Sequence, residues 1–127
     1  MVLVDTSVWI DHLRTGNPRL EALLDEGEVV CHPFIIGELA CGHVRNRRRI
    51  LDLLRSLPGV VTAGHDEVMR LIDAHRLMGT GIGYLDAHLL ASARLSSTPI
   101  WTFDMPLDRI AVKLETAYPL DRVKEGE

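Results

Sequence analysis

Four carboxylates occupy positions next to apolar residues, where a charged side chain is unfavourable unless it has a partner or a function: Asp5, Glu38, Asp86 and Asp104. Asp5 and Asp104 each end a short apolar run, 2–4 and 100–103. Glu38 and Asp86 lie in helical patterns, on the side that carries apolar residues. Clustered carboxylates at roughly 5 Å repel by about 3 kcal/mol per pair at an effective dielectric of about 20. Because a divalent cation with oxygen ligands would stabilise such a cluster, the pattern indicates metal-assisted phosphoryl chemistry.

Each of these acids also has a structural explanation. Asp5 and Asp104 precede helical patterns, so either can be an N-cap, although Thr6 can cap the first helix instead of Asp5. Glu38 can mark the edge of a buried helical face. Asp86 can be a surface acid in a first helical turn, where the helix dipole favours it. It is the four together that indicate one crevice.

Other polar residues are candidates for substrate binding beside these acids. The hydroxyls of Thr6, Ser7 and Thr102 can face the same crevice, but capping and turn hydrogen bonds explain them equally well. The run 45–49, Arg-Asn-Arg-Arg-Arg, is the only basic cluster. It is either a solvated helix start or a surface for phosphates, with the following arginines as candidate contacts: Arg45, Arg47 and Arg48.

The ligand types select the metal. Carboxylate oxygens suit Mg²⁺ or Mn²⁺, whereas zinc prefers His or Cys. The six histidines form no HxxxH or HExxH pattern, so we interpret them as structural or solvent-exposed.

Composition is typical of one domain over residues 1–127, with residues from about 119 expected to fray. The net charge of −4 disfavours a module that binds nucleic acid through charge alone. The two cysteines are interpreted as core residues of a reducing compartment. We find neither a membrane span nor a signal peptide, and therefore expect a cytoplasmic protein.

Short apolar runs alternate with amphipathic helices along the chain. We predict strands at 1–5, 28–31, 60–62 and 99–103, and helices at 7–13, 18–25, 33–42, 46–56, from 65, 84–95 and 105–114. This alternation predicts an α/β/α sandwich around a mainly parallel sheet of four to five strands. Ligands of such sheets bind beyond the carboxyl ends of the strands, where Asp5 and Asp104 lie.

The motifs around these acids resemble those of the PIN-domain family. Residues 2–10, Val-Leu-Val-Asp-Thr-Ser-Val-Trp-Ile, resemble the family's opening motif. Residues 36–39, 83–93 and 101–104 resemble its second, third and fourth motifs in order and spacing. Length and opening also resemble the VapC toxins of toxin–antitoxin pairs.

The resemblance implies a PIN-like fold and an endoribonuclease dependent on Mg²⁺ or Mn²⁺, often dimeric and inhibited by a VapB-like antitoxin. It matches the following residues to the family's catalytic, metal-holding acids: Asp5, Glu38, Asp86 and Asp104. Thr6 or Ser7, and Thr102, match its hydroxyl positions. The family often has a further acid two residues after the fourth motif. Here that position is Pro106, and Asp108 is the next candidate for a fifth acid.

Other functions stay open at this point. The chain can be a PIN nuclease that processes RNA outside a toxin–antitoxin pair, or a non-catalytic module that binds RNA or protein. A phosphoacceptor receiver domain also has acids at strand ends. It requires a lysine near the end of a late strand, whereas Lys113 lies in the last predicted helix.

Overall fold

The protein, in a computed structural model, is described over residues 1–119. The elements in chain order are β1 Val2–Val4, α1 Thr6–Thr15, α2 Pro18–Asp25, β2 Val29–Val30, α3 Pro33–Cys41, α4 Arg47–Ser56, α5 His65–His75, α6 Tyr84–Leu95, β3 Ile100–Trp101 and α7 Met105–Lys113. The fraying expected at the C-terminus falls almost wholly outside the described residues.

The sheet is parallel, with strand order β2-β1-β3. In the central strand Leu3 lies between Val30 and Ile100. Residues 2–4 point alternately to the two faces of the sheet, and all are at most 1% exposed. Both faces are therefore covered, which confirms the prediction from an uninterrupted apolar strand. Because β1 and β3 are parallel, the residues that follow them meet at one edge.

The sheet has three strands over the described residues, not the four to five predicted. Single parallel bridges extend it on both sides, between Cys31 and Gly59 and between Ile100 and Ala117. The predicted strand at 60–62 is wrong, because the bridge is at Gly59 and residues 60–62 belong to no strand. The backbone N–H of Val61 donates to the hydroxyl of Ser96, which caps the end of α6, at 2.9 Å, and that of Ala63 donates to the hydroxyl of Ser92 in α6 at 3.0 Å, so neither forms a strand ladder.

Sequence signals at helix starts correspond to the observed boundaries. Pro18 and Pro33 each open a helix, where the missing N–H of proline costs nothing. The Asn17 side chain accepts a hydrogen bond from the backbone of α2, and the His32 ring accepts one from α3. α6 runs through the core, with every residue from 87 to 93 buried.

Two further expectations have different outcomes. Cys31 is buried, as expected, but Cys41 is exposed, because it lies at the last position of α3 beyond the buried face. Among residues 1–119, no helix is both long enough and apolar enough to cross a bilayer.

Candidate active site

Asp5 is held by hydroxyl groups at the carboxyl edge of the sheet. Its Oδ2 accepts hydrogen bonds from Thr102 Oγ1 at 2.7 Å and from Ser7 Oγ at 2.8 Å. The residue is only 6% exposed. Asp5, and not Thr6 as proposed from the sequence, occupies the N-cap position of α1, but its side chain makes no capping bond. The Asp5 carboxylate therefore bonds the hydroxyls of Ser7 and Thr102 and not the backbone of α1.

The same hydroxyls also fix the segment after β3. Ser7 Oγ accepts the N–H of Phe103, and Thr102 Oγ1 accepts the N–H of Asp104, each at 3.0 Å. A hydroxyl has one proton, and both protons are used on Asp5. The 3.3 Å approach of the two hydroxyl oxygens therefore adds no further hydrogen bond. Ser7 and Thr102, predicted to bind substrate, orient Asp5 and the backbone of residues 103–104.

Glu38 reaches the site from α3. Its Oε1 accepts a hydrogen bond from Thr6 Oγ1 at 3.1 Å. The side chain is exposed, yet its surroundings raise the pKa of Glu38, first by partial desolvation and then by the charges of Asp5 and Asp86. The Thr6 hydrogen bond opposes that rise. Thr6, also predicted to bind substrate, thus orients a carboxylate.

Asp86 lies half-buried in the first turn of α6. Its Oδ2 accepts a long hydrogen bond of 3.4 Å from the N–H of Gly83. Burial raises the pKa of Asp86, the charges of Asp5 and Asp104 raise it further, and the Gly83 hydrogen bond opposes the rise. Asp86 thus lies in a first helical turn, as the dipole interpretation proposed, and also within electrostatic reach of Asp5 and Asp104.

Asp104 is an N-cap, as its structural explanation proposed. Its Oδ2 accepts the N–H of Leu107 at 3.0 Å, which begins α7. The residue is exposed and still acts on Asp86 electrostatically. Asp108 is half-buried in the first turn of α7. Pro106, between them, packs near Gly81, where an added Cβ would lie 3.3 Å from the proline ring.

The structure brings the four acids within electrostatic reach of one another. The interacting pairs are Glu38 with Asp5 and with Asp86, and Asp86 with Asp5 and with Asp104. Within residues 1–119, no three His, Cys, Asp or Glu side chains are arranged as a complete metal-binding group. The arrangement is a set of mutually repelling carboxylates at one sheet edge.

The predicted basic residues divide into different environments. Arg45 lines a groove that also contains Glu38. Arg47 Nη2 donates to the carbonyl of Ala40 at 3.0 Å, so it fastens the end of α3 to the start of α4. Arg48 is exposed and does not line that groove. Only Arg45 is thereby connected to the acids.

Sequence reasoning missed Arg14, which lines the same groove from α1. The signal was available, because Arg14 lies eight residues after Thr6 and on the same helical face. The buried histidines near α6 also needed the structure. His32 and His88 each pack edge-on against Phe34, with centroids 4.8 and 4.9 Å from its ring.

These histidines are neutral core residues. Burial, and secondarily the nearby His88, lowers the pKa of His32 to about 4. The Nδ1 atom of His32 accepts the N–H of Phe34, so its proton is on Nε2, which has no partner among the described residues. Tyr84 OH bonds both His65 Nδ1, at 2.6 Å, and His88 Nε2, at 2.9 Å. None of these rings is paired for acid–base chemistry at the carboxylates.

Comparisons with known proteins identify the family and the fold. The PIN domain family model matches residues 2–113. The chain is 48% identical over 108 residues to Ribonuclease VapC32 from two strains of Mycobacterium tuberculosis, covering 84% of this chain and 87% of that protein. The fold is similar to that of FitAB bound to an IR36 DNA fragment, with a TM-score of 0.65 and 20% identity over 92% of each chain. It is also similar to PAE2754 from Pyrobaculum aerophilum, with a TM-score of 0.58 and 20% identity over 90% of this chain and 88% of that one. The chain therefore belongs to the PIN-domain family and, within it, to the VapC-type proteins.

Proposed function

We propose that this protein is an endoribonuclease that hydrolyses RNA phosphodiester bonds with Mg²⁺ or Mn²⁺, as the toxin of a type II toxin–antitoxin pair in the cytoplasm. One observation carries the proposal. The acids that follow two strands and the acids on two helices lie close enough, at one edge of the sheet, to repel one another electrostatically. The 48% identity over 108 residues to a protein named a ribonuclease supports it.

The donor set fits a hard divalent cation. The side chains that would hold it offer only carboxylate oxygens, which suit Mg²⁺ and Mn²⁺: Asp5, Glu38, Asp86 and Asp104. Burial and, after it, neighbouring carboxylates raise the pKa of both Glu38 and Asp86, and a bound cation would relieve the repulsion between these carboxylates. A metal bound there would act as a Lewis acid that activates water and neutralises charge on the leaving oxygen.

The chain's own residues supply orientation and proton transfer. Ser7 and Thr102 set the direction of the Asp5 carboxylate before substrate arrives. A carboxylate with a raised pKa, Glu38 or Asp86, is suited to accept a proton from the attacking water. Because no histidine within the described residues hydrogen-bonds or pairs with the four acids, the 2′-hydroxyl is not the expected nucleophile. We expect products with a 5′-phosphate and a 3′-hydroxyl.

The test is cleavage of RNA by the purified protein with Mn²⁺ or with EDTA, followed by analysis of the product ends. Asp5→Asn should abolish cleavage, because the amide removes a metal-binding charge and keeps the shape. Asp73→Asn is the matched control, since Asp73 is an exposed acid of α5 away from the site. Full activity in EDTA, or 2′,3′-cyclic phosphate products, would contradict the mechanism. Binding of RNA without cleavage would favour a non-catalytic module.

We propose that the antitoxin inhibits the protein by binding the negative charge of the four acids. An arginine fork pairs with carboxylates through two parallel hydrogen bonds, so an antitoxin tail can place an arginine among the acids and exclude the metal. Replacing that arginine by alanine in the cognate antitoxin should weaken inhibition. Unchanged affinity and inhibition would exclude this arrangement.

We also propose a homodimer. Large apolar side chains are exposed on α5 and α6, including Met69 at 40%, Leu85 at 46% and Leu95 at 48%. Exposed apolar side chains of this size favour burial against a second copy. Light scattering coupled to size exclusion should give twice the mass of the chain, and a monomer at all concentrations would refute the proposal.

A further inference from the structure

A groove of about 460 Å³ opens beside Glu38. Its apolar floor comes from α1, α3 and the segment after α3: Ile10, Leu13, Leu39 and Val44. Glu38, which bonds Thr6 at the start of α1, stands at its acidic end. Arg14 and Arg45 stand among the other lining residues. Thr6 and Arg14 are eight residues apart on α1, about 12 Å along the helix axis. The groove therefore leads away from the candidate active site.

The arginines of the groove have no partners in the described part of the chain. Arg14 and Arg45 are both exposed, and neither makes a side-chain hydrogen bond or ion pair with residues 1–119. Arg47, in contrast, is used by the Ala40 carbonyl. Two unpaired guanidinium groups in a chain of net charge −4, beside a cluster of acids, are positioned for an anion from outside the protein.

We propose that this groove binds the RNA strand on one side of the cleaved phosphodiester. Arg14 and Arg45 contact backbone phosphates, since the guanidinium fork matches phosphate oxygens. The apolar floor lies under a base, which requires a strand whose bases are unpaired. The proposal rests on the proposed function and adds to it a path for the substrate and two phosphate-binding residues.

The path explains how an acidic protein can hold RNA. Glu38 is the one carboxylate lining the groove within residues 1–119, and the metal proposed at the acids would offset its charge. The two guanidinium groups thus place positive charge along the strand although the net charge of the chain is −4. Such binding depends on salt according to the number of phosphates contacted.

The experiment measures binding of a fluorescein-labelled, single-stranded RNA of mixed sequence to the cleavage-deficient Asp5→Asn protein over a range of salt concentrations. In that background, Arg14→Gln and Arg45→Gln should each weaken binding by about tenfold, the loss of one charge-assisted contact. Each should also lower the slope of log affinity against log salt by about 0.7. Arg14→Lys should keep the slope and recover part of the affinity, because lysine retains the charge without the fork.

Arg70→Gln is the matched control. Arg70 is exposed on α5, lines a different groove and has no partner in the described part of the chain. This substitution removes the same charge and should leave affinity and slope unchanged. Thermal melting of every variant checks that the fold is retained.

The outcomes separate this inference from the proposed function. If the Asp5→Asn protein binds RNA and the Arg14 and Arg45 variants bind as the Arg70 control does, the groove inference is wrong and the nuclease proposal stands. If those variants bind RNA normally but lose affinity for the antitoxin, the groove is a protein-docking surface and the inference is again wrong. If the unsubstituted protein neither binds nor cleaves RNA with Mn²⁺, the proposed function itself fails.

Discussion

The loop before α6 restrains the start of α7, and two glycines in it allow this to be tested. Gly81 has a φ of +93°, and a Cβ added there would lie 3.3 Å from Pro106 Cβ and 3.4 Å from its Cγ. Gly79 has a φ of +72° with no heavy atom within 4 Å of an added Cβ. The two positions share an unfavourable backbone, but only Gly81 contacts the helix that Asp104 caps.

The expected magnitudes follow from that difference. Alanine at either position costs about 1–2 kcal/mol because a side chain disfavours positive φ. That lowers the melting temperature of a chain of this size by about 3–10 °C. Gly81→Ala should cost roughly a further 1 kcal/mol, since the rigid Pro106 ring must shift by a few tenths of an ångström.

Two measurements on each variant test this argument: guanidinium unfolding without metal, and RNA cleavage with Mn²⁺ below the melting transition. Gly79→Ala should lose stability alone, with cleavage within about twofold of the unsubstituted protein. Gly81→Ala should lose more stability and at least about tenfold in kcat. A shift of Pro106 would move Asp104 away from its position beside the other acids, and small displacements in a site of this kind lower the rate strongly. Equal losses of stability and equal cleavage rates in the two variants would refute the restraint by Pro106.

Three further substitutions test the charges and hydrogen bonds of the structure. The pKa of Asp86 is raised by burial and by Asp5 and Asp104, so its ionised form destabilises the fold at neutral pH and stability rises as the pH falls through that pKa. Asp86→Asn should leave the metal-free protein at pH 7 as stable or more stable; a large destabilisation in EDTA would contradict this. Mn²⁺ bound to the acids is expected to raise the melting temperature of the unsubstituted protein, and Asp86→Asn should remove that rise. The pKa of His32, lowered to about 4 from 6.5 by burial, means that stability is lost as the pH falls from about 6.5 to about 4, by about 3 kcal/mol in total. His32→Asn, which keeps an acceptor for the start of α3, should flatten that part of the stability curve, and an unchanged slope in chemical unfolding would show that His32 is not its source. Ser7→Ala removes the 2.8 Å bond to Asp5 and the acceptor for the Phe103 N–H, and should lower the free energy of unfolding by about 1–2 kcal/mol; an unchanged value would contradict the hydroxyl network.

Local signals in the sequence predicted most elements of the fold. The proline and polar residues that open α2 and α3 define those helices, and the apolar run of β1 predicts a buried parallel strand. The error at residues 60–62 has a different origin. Val60 and Val61 have the side chains of a strand, but the hydroxyls of Ser92 in α6 and of Ser96 at its C-cap accept hydrogen bonds from the backbone of residues 61 and 63. Which partner a backbone group finds is decided by tertiary packing, which composition does not reveal.

The sequence allowed us to predict that these acids lie together, but not which hydrogen bonds the residues around them make. Acids at strand ends and on inward helical positions pointed to one edge of the sheet. The sequence did not indicate that Ser7 and Thr102 would both donate hydrogen bonds to Asp5, since each hydroxyl could instead have bonded a nearby cap or turn. It also did not distinguish Arg45, which lines the groove, from Arg47, which bonds a carbonyl. Both distinctions depend on distances between residues remote in the chain.

The hydrogen bond between Asp5 and Thr102 has a consequence for how this protein folds. The central strand β1 and its neighbour β3 are about a hundred residues apart in the chain, and so are Asp5 and the hydroxyl that orients it. A nascent chain that ends before residue 100 has the first acid but lacks both Thr102 and Asp104. The edge that carries these acids is therefore complete only when residues 100–104 have joined β1, so the sheet and the arrangement of its carboxylates form together.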